Sequence, residues 1–102
     1  MFENANDAIY IAQDGVIKFP NPKILDLVGY SAEELARMPF SDLVHPTDRS
    51  MVMERYQKRI TERHNIPATY SLRVINKLGD VLLVELSSVR ITWEGRPATL
   101  NF

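Results

Sequence analysis

The 102-residue sequence contains no cysteine, and this absence excludes disulfide bonds, thiolate metal sites and cysteine nucleophiles. An excess of one charge is also missing, because twelve Lys and Arg residues balance thirteen Asp and Glu residues to a net charge of −1. We therefore expect no nucleic-acid partner and no attraction to anionic membranes. No apolar run approaches the roughly 20 residues of a membrane-spanning helix, and the start of the chain lacks a signal-peptide pattern. A cytoplasmic location is the resulting expectation, with an anchor elsewhere in the parent protein left open.

What the sequence does contain is typical of one ordinary globular domain. Hydrophobic residues make up 45% and charged residues 25% of the chain. A length of 102 residues provides for one core but not two, and the sequence has no repeats, low-complexity tracts or internal linkers.

The richest local signals lie in residues 14–35, DGVIKFPNPKILDLVGYSAEEL, which combine a turn, a strand and two helix starts. Asn21 can cap a helix whose first residue is Pro22, and Gly29 can end that helix in the left-handed conformation. Ser31 begins an S-x-x-E capping box, which opens a second short helix immediately afterwards. This run therefore predicts a hairpin followed by two short helices.

Periodicity predicts the remaining elements. Apolar residues recur at helical spacing in one long segment, while the last third of the chain alternates as antiparallel strands do. The predicted strands are Ala8–Ala12, Val16–Phe19, Ala68–Asn76, Val81–Trp93 and Pro97–Phe102. The predicted helices are Pro22–Val28, Ala32–Met38, a turn capped by Ser41 over Asp42–Val44, and Asp48–Arg63.

The pattern dGxIxxxNPxxxxLxGYSxEEL, together with DLVHPTDR at residues 42–49, strongly resembles the PAS sensor-domain family. The resemblance covers nearly the whole chain. It implies an α+β fold: a five-stranded antiparallel sheet with short helices and one long helix on one face. We expect a single PAS-like domain over residues 1–102, with an N-terminal cap at roughly 1–7. Family members usually continue past the last strand into a linker helix, and we expect no such linker within these 102 residues.

A sheet covered on one face by helices leaves an interior space, for which alternation and helical spacing predict the walls. Tyr56, Tyr70 and Ser88 supply polar groups among apolar neighbours, as in many ligand sites. The predicted ligand-binding residues are Val52, Tyr56, Ile60, Tyr70, Leu72, Val74, Leu86 and Ser88. A dry, filled core is the alternative left open, since PAS domains take both forms.

The opposite face of the sheet is predicted to carry apolar side chains outward, and monomeric domains seldom leave a large apolar patch unused. In the PAS family this face commonly docks a helix or a second copy, so a homodimer is expected. The predicted interface residues are Phe2, Ile75, Leu83, Ile91 and Trp93. A cross-strand pair between Arg73 and Glu85 is also expected.

No metal site and no cofactor are predicted. Haem-binding PAS domains ligate iron with a histidine on the long helix, but residues 49–53 hold none, and Met51 and Met53 are interpreted as core residues. Light-sensing relatives form a covalent flavin adduct with a cysteine, and this sequence has no cysteine to form it. Non-covalent flavin and haem remain as alternatives, while His45 and His64 are interpreted as a structural loop residue and a surface residue.

No catalytic residues are predicted either. The adjacent residues Glu33 and Glu34 point in different directions on a helix, and Ser87 and Ser88 lie on opposite faces of a strand without a nucleophile elbow. Arg55, Lys58 and Arg59 are interpreted as part of a solvated helix face.

These observations predict a non-catalytic sensory or signal-relay module of a larger signalling protein. It would sense a small ligand or relay a signal through dimerisation to an output domain such as a histidine kinase or diguanylate cyclase, by analogy with the family. A pure protein–protein interaction module with a filled core is the alternative, and an enzyme on a similar sheet is the third hypothesis.

Overall fold

The strands form one antiparallel sheet in the computed structural model, which describes residues 7–61 and 68–102. The strands are β1 (Tyr10–Gln13), β2 (Val16–Lys18), β3 (Ala68–Ile75), β4 (Val81–Trp93) and β5 (Arg96–Asn101). Their order across the sheet is β2-β1-β5-β4-β3. The last strand therefore pairs with the first, which closes the chain around a shared core and confirms the predicted fold class.

The helices lie between β2 and β3 in the chain. They are α1 (Pro22–Val28), α2 (Ala32–Ala36) and α3 (Arg49–Thr61), with single 3₁₀ turns at Phe40–Leu43 and Pro46–Asp48. The predicted caps are present: Asn21 Oδ1 accepts from Ile24 N at 3.1 Å, and Ser31 forms both bonds of its capping box. Gly29 ends α1 with φ 75°, where a glycine avoids the strain that a side chain would add.

Three helix boundaries differ from the prediction. α2 ends at Ala36 rather than Met38, because the residue before Pro39 is disfavoured in helical conformation. The following turn begins at Phe40 without a cap from Ser41, and Phe40 N donates to Gly15 O at 2.9 Å instead. α3 begins at Arg49, since Asp48 belongs to the preceding turn, and residues 62–63 lie outside the described part of the chain.

The ends of four strands also differ. β1 begins at Tyr10 rather than Ala8, β2 ends at Lys18 rather than Phe19, and β3 ends at Ile75 rather than Asn76. β1 was expected to stop at Ala12 but includes Gln13, which is buried because its Nε2 donates to Trp93 O at 3.0 Å. β5 spans Arg96–Asn101 rather than the predicted Pro97–Phe102. The long-range contact of the Gln13 side chain therefore accounts for an end of β1 that local turn signals did not predict.

The strand register divides the sheet into an inner face, which packs against the helices, and an outer face. Val84, Leu86 and Ser88 point inward, as predicted, and Leu83 points outward. The buried core between inner face and helices consists of Ala12, Ile17, Ile24, Val28, Leu35, Phe40, Leu43, Val44, Val52 and Leu72.

The expected Arg73–Glu85 pair is wrong. The register places Ser71 opposite Glu85, and Leu83 opposite Arg73. Arg73 instead binds Asp48, just before α3: its Nη2 donates to Oδ1 at 2.8 Å, and its backbone N donates to Oδ2 at 2.9 Å. This contact attaches the start of the long helix to the edge of the sheet.

Candidate ligand-binding cavity

A cavity of about 240 Å³ lies between the inner face of the sheet and helices α1 and α3. Its walls are mostly apolar side chains from the core. Seven of the eight residues predicted to line it do so: Val52, Tyr56, Tyr70, Leu72, Val74, Leu86 and Ser88. Alternation along β3 and β4 thus placed the wall correctly, and whether these residues bind a ligand stays a prediction.

Ile60 was predicted in this wall, and the structure places it elsewhere. It borders a separate open depression near Asp14 and Arg96. The reason is the helical period: Ile60 lies about 80° around the helix from Val52, whereas Arg59 lies only about 20° from it. Each step of four residues turns the helix about 40° more than a full turn, so after two steps the side chain no longer shares the face of Val52.

The same geometry corrects the interpretation of the basic residues on α3. Arg55 and Lys58 are exposed, as expected of a solvated face, but they also border the cavity, and Arg59 lines it in a half-buried position. The Arg55 guanidinium carbon lies 4.7 Å from the centre of the Tyr70 ring, close enough for a cation–π contact. Asp7 and Glu85 also border the cavity, but the register places the Glu85 side chain on the outer face, as it does that of Leu83.

A row of polar side chains crosses the inner face, and sequence reasoning found only one of its members. Tyr10 on β1 pairs with Asn101 on β5, which pairs with Ser88 on β4. We call these three residues the polar row. All three line the cavity. No face had been predicted for the residues of β5; the register places Ala98 and Leu100 on the outer face and Thr99 and Asn101 on the inner face.

Two oxygens of the polar row open onto the cavity. Asn101 Nδ2 donates to Thr99 O at 3.2 Å and to Thr99 Oγ1 at 3.0 Å, which fixes the side-chain amide. Among the described residues, no hydrogen bond reaches Asn101 Oδ1 or Ser88 Oγ, and no fully buried side-chain oxygen is without a partner. Both oxygens therefore retain access to the cavity, although Asn101 and Ser88 are only 4% and 7% exposed.

The tyrosines of the wall are neutral polar groups. Burial raises the pKa of Tyr10, and the nearby Tyr70 raises it further. Burial also raises the pKa of Tyr70, an effect that Arg55 and Arg59 partly offset. The Tyr56 hydroxyl is already engaged, because a backbone hydrogen bond with Gly15 opposes the rise in its pKa caused by burial. Tyr10 and Tyr70 are therefore the phenols available inside.

The predicted interface residues lie on the outer face or outside the described residues. Leu83 is 77% exposed, whereas Ile75 and Ile91 are half-buried. Trp93 is also half-buried and packs against Phe19, with ring centres 5.0 Å apart. Phe2 falls outside the described residues.

The histidines show no ligand set. His45 Nδ1 accepts from Thr47 N at 3.2 Å, which is the structural loop role expected for it. His64 falls outside the described residues. Within residues 7–61 and 68–102, no three His, Asp or Glu side chains gather as metal ligands.

Comparison with known families identifies the architecture. A family model described as PAS fold matches residues 17–101, most of the chain. The chain belongs to the PAS family. The resemblance seen in the sequence motifs is thereby confirmed.

Relatives of this PAS domain include parts of signalling proteins. It is 29% identical over 98 residues to the methyl sulfide methyltransferase-associated sensor of Methanosarcina acetivorans, covering 94% of this chain and 10% of that protein. The chain thus spans about a tenth of the length of that relative. The PAS family model and the name of this relative point to a sensory module.

Solved structures show the same fold. The PAS domain of an HTR-like protein from Haloarcula marismortui superposes with a TM-score of 0.81 at 21% identity, covering 98% of this chain and 81% of that one. A domain of a sensory box sensor histidine kinase/response regulator from Geobacter sulfurreducens gives 0.76 at 24% identity, covering 98% and 85%. None of the helices in the described ranges is long and apolar enough to cross a membrane.

Proposed function

We propose that this PAS domain is a sensory module that binds a small molecule between α3 and the inner face of its sheet. The cavity of about 240 Å³ onto which Ser88 and Asn101 open carries the proposal. If the core were filled by apolar side chains, both oxygens would be buried without hydrogen-bond partners, which costs about 1–3 kcal/mol for each atom. A ligand that donates hydrogen bonds to them fills the same space without that cost. The cavity therefore supports the ligand-binding hypothesis over the filled-core alternative.

The volume limits the size of the ligand. An engineered apolar cavity of about 150 Å³ holds benzene, and pockets for drug-sized ligands begin at about 300 Å³. A cavity of about 240 Å³ suits a molecule between these sizes. Haem and flavin are much larger, and the helical positions 49–53 offer haem no histidine. We propose neither as a cofactor.

The attachment of α3 to the sheet supports a relay mechanism. Asp48, just before α3, binds Arg73 on β3, and at the other end Arg90 Nε on β4 donates to Ile60 O at 3.0 Å. A ligand held between helix and sheet contacts both. If it binds one arrangement of these elements better than another, it shifts their populations by that difference in affinity.

Thermal unfolding with a library of small polar and apolar compounds tests ligand binding. A compound at 100 times its Kd stabilises the folded state by about 2.7 kcal/mol, a readily measured shift. Ser88→Leu places a larger apolar side chain in the cavity and should abolish the response. Ser87→Leu, on the opposite face of the same strand, is the matched control and should retain it. No stabilising compound, or an equal response in both variants, would contradict the proposal.

A second candidate function is pairing of two copies through the outer face, favoured by the exposure of Leu83 near the start of β4. Leu83→Glu should then dissociate a dimer detected by sedimentation velocity. Leu78→Glu, in the exposed turn between β3 and β4, is the control and should leave the dimer intact. A monomer at every concentration, or a dimer insensitive to Leu83→Glu, would refute pairing by this face.

A further inference from the structure

The polar row and the basic residues of α3 present different chemistry to the cavity. Asn101 gives its amide hydrogens to Thr99, so only an acceptor oxygen remains for a ligand. Ser88, its cross-strand neighbour, adds a hydroxyl that can accept or donate. A carboxylate placed against Asn101 Oδ1 would bring two hydrogen-bond acceptors together. A hydroxyl or N–H group of the ligand would instead donate a hydrogen bond to this oxygen. Asn101 Oδ1 therefore selects for a hydrogen-bond donor, while the hydroxyls of Ser88 and Tyr10 can accept from the ligand or donate to it.

The cationic residues select for the opposite charge. Arg55 and Lys58 line the cavity and are exposed, and neither forms an ion pair among the described residues. Arg59 adds a third positive charge to this lining, and Asp7 contributes one carboxylate, whereas the Glu85 side chain lies on the outer face of β4. An ammonium group beside α3 would be repelled, and a carboxylate would be attracted.

The surface between these two regions is apolar. Val52 and Leu72 are buried core residues, and Leu86 packs against them. Scaled from the benzene cavity, the volume corresponds to a ligand of about ten non-hydrogen atoms. A compact aromatic or aliphatic body fits this part of the wall.

We propose that the cavity binds a small carboxylic acid with an apolar body, whose carboxylate faces Arg55 and Lys58 and whose hydroxyl or N–H group binds Asn101 and Ser88. The proposal rests on the proposed function and assigns its ligand class. The hydroxyl or N–H group of the ligand is the part of the proposal that predicts specificity. A site built to bind a hydroxyl strongly rejects an analogue that lacks it, because its own polar groups then stay unpaired.

Four matched probes test the assignment by calorimetry on the full chain. 4-Hydroxybenzoate carries both groups, benzoate lacks the donor, 4-methoxybenzoate blocks it, and 4-hydroxybenzyl alcohol lacks the charge. 6-Hydroxyhexanoate and hexanoate repeat the donor comparison on an aliphatic body. A hydroxy acid should bind at least tenfold tighter than its partner without the donor and than the uncharged alcohol. Equal affinity with and without the hydroxyl, tighter binding of the alcohol, or no binding of either hydroxy acid would overturn the assignment.

Variants separate the two ends of the ligand. Asn101→Leu should reduce the preference for 4-hydroxybenzoate over benzoate to near unity while benzoate still binds. Ser88→Ala, a smaller change, should reduce the same ratio and serves if Asn101→Leu does not fold. Arg55→Gln combined with Lys58→Gln should weaken both acids tenfold or more and leave the alcohol unchanged. Arg37→Gln, an exposed arginine outside the cavity lining, is the charge control and should change nothing.

Failure of this inference is distinguishable from failure of the proposed function. Stabilisation by neutral or cationic compounds that Ser88→Leu abolishes would keep the sensor and refute the acid. The absence of any stabilising compound would refute both. A hydroxyl preference that survives Asn101→Leu and Ser88→Ala would refute the role of the polar row.

Discussion

Replacing Asn21 with alanine should destabilise the domain well beyond the loss of an ordinary helix cap. Asn21 Oδ1 accepts from Ile24 N at 3.1 Å at the start of α1, and also from Ile9 N at 3.0 Å. Its Nδ2 donates to Asp7 O at 2.8 Å. One buried side chain thus joins α1 to the segment entering β1, and both elements border the cavity.

The magnitude follows from these contacts. Loss of a side-chain cap costs about 1 kcal/mol. The Ile9 N–H loses its partner in a partly buried position, which adds about 1–2 kcal/mol. A total of about 2–3 kcal/mol is a large part of the 5–15 kcal/mol typical of a folded domain. For a domain of this size, each kcal/mol lowers Tm by roughly 4–8 °C, so we expect a decrease of about 8–24 °C.

Urea unfolding followed by circular dichroism measures this cost. Ser31→Ala is the matched control, since Ser31 Oγ caps α2 by accepting from Glu34 N at 3.1 Å in an exposed position. It should cost about 0.5–1 kcal/mol. Asn21→Asp keeps the accepting oxygens but loses the donor to Asp7, and should fall between wild type and Asn21→Ala. If Asn21→Ala costs no more than Ser31→Ala, the reasoning from burial and bridging is wrong.

Three further changes have defined outcomes. Leu35→Ala removes a fully buried side chain, and denaturation should show a loss of about 3–5 kcal/mol; a cost below 1 kcal/mol would contradict its core position. The hydrogen bonds from Arg73 lower the pKa of Asp48 to about 2, so its stabilisation is present above the ordinary value of 3.8 and is lost as pH falls towards 2. Asp48→Asn should flatten the acid unfolding profile in that window, whereas Asp26→Asn, at an exposed site on α1, should not. Gly29→Ala should cost about 1 kcal/mol in the same assay, because φ is 75°; no cost would refute the strain.

Much of the fold could be predicted because its signals are local. Asn21, Gly29 and Ser31 act within one helical turn of their own positions, and the structure places each where the pattern indicated. Alternation fixed the faces of β3 and β4 because those strands have one face in the core. Neither inference requires knowledge of the rest of the chain.

The content of the cavity was less predictable, for two physical reasons. Arg59 enters the lining because a helix advances by 100° per residue, and a basic side chain on an apolar face was assigned to solvent by its type alone. Asn101 was missed because β5 lies inside the sheet, so its apolar Ala98 and Leu100 fit the outer face as well as the inner one. The partner of Arg73, Asp48, lies 25 residues earlier and has no sequence signal.

The alternation along β4 links the two candidate functions. Ser88 opens onto the cavity, the neighbouring Val89 belongs to the outer face opposite Leu100, and Arg90 holds the end of α3 through Ile60 O. Because successive side chains of a strand point to opposite faces, a change in the twist of these three residues alters the cavity, the outer face and the helix attachment together. A ligand that bonds to Ser88 therefore acts on the same strand that a second copy would contact. Sensing and pairing should consequently be coupled: a bound acid should shift the dimerisation constant, and by linkage dimerisation should shift the affinity for the acid by the same factor.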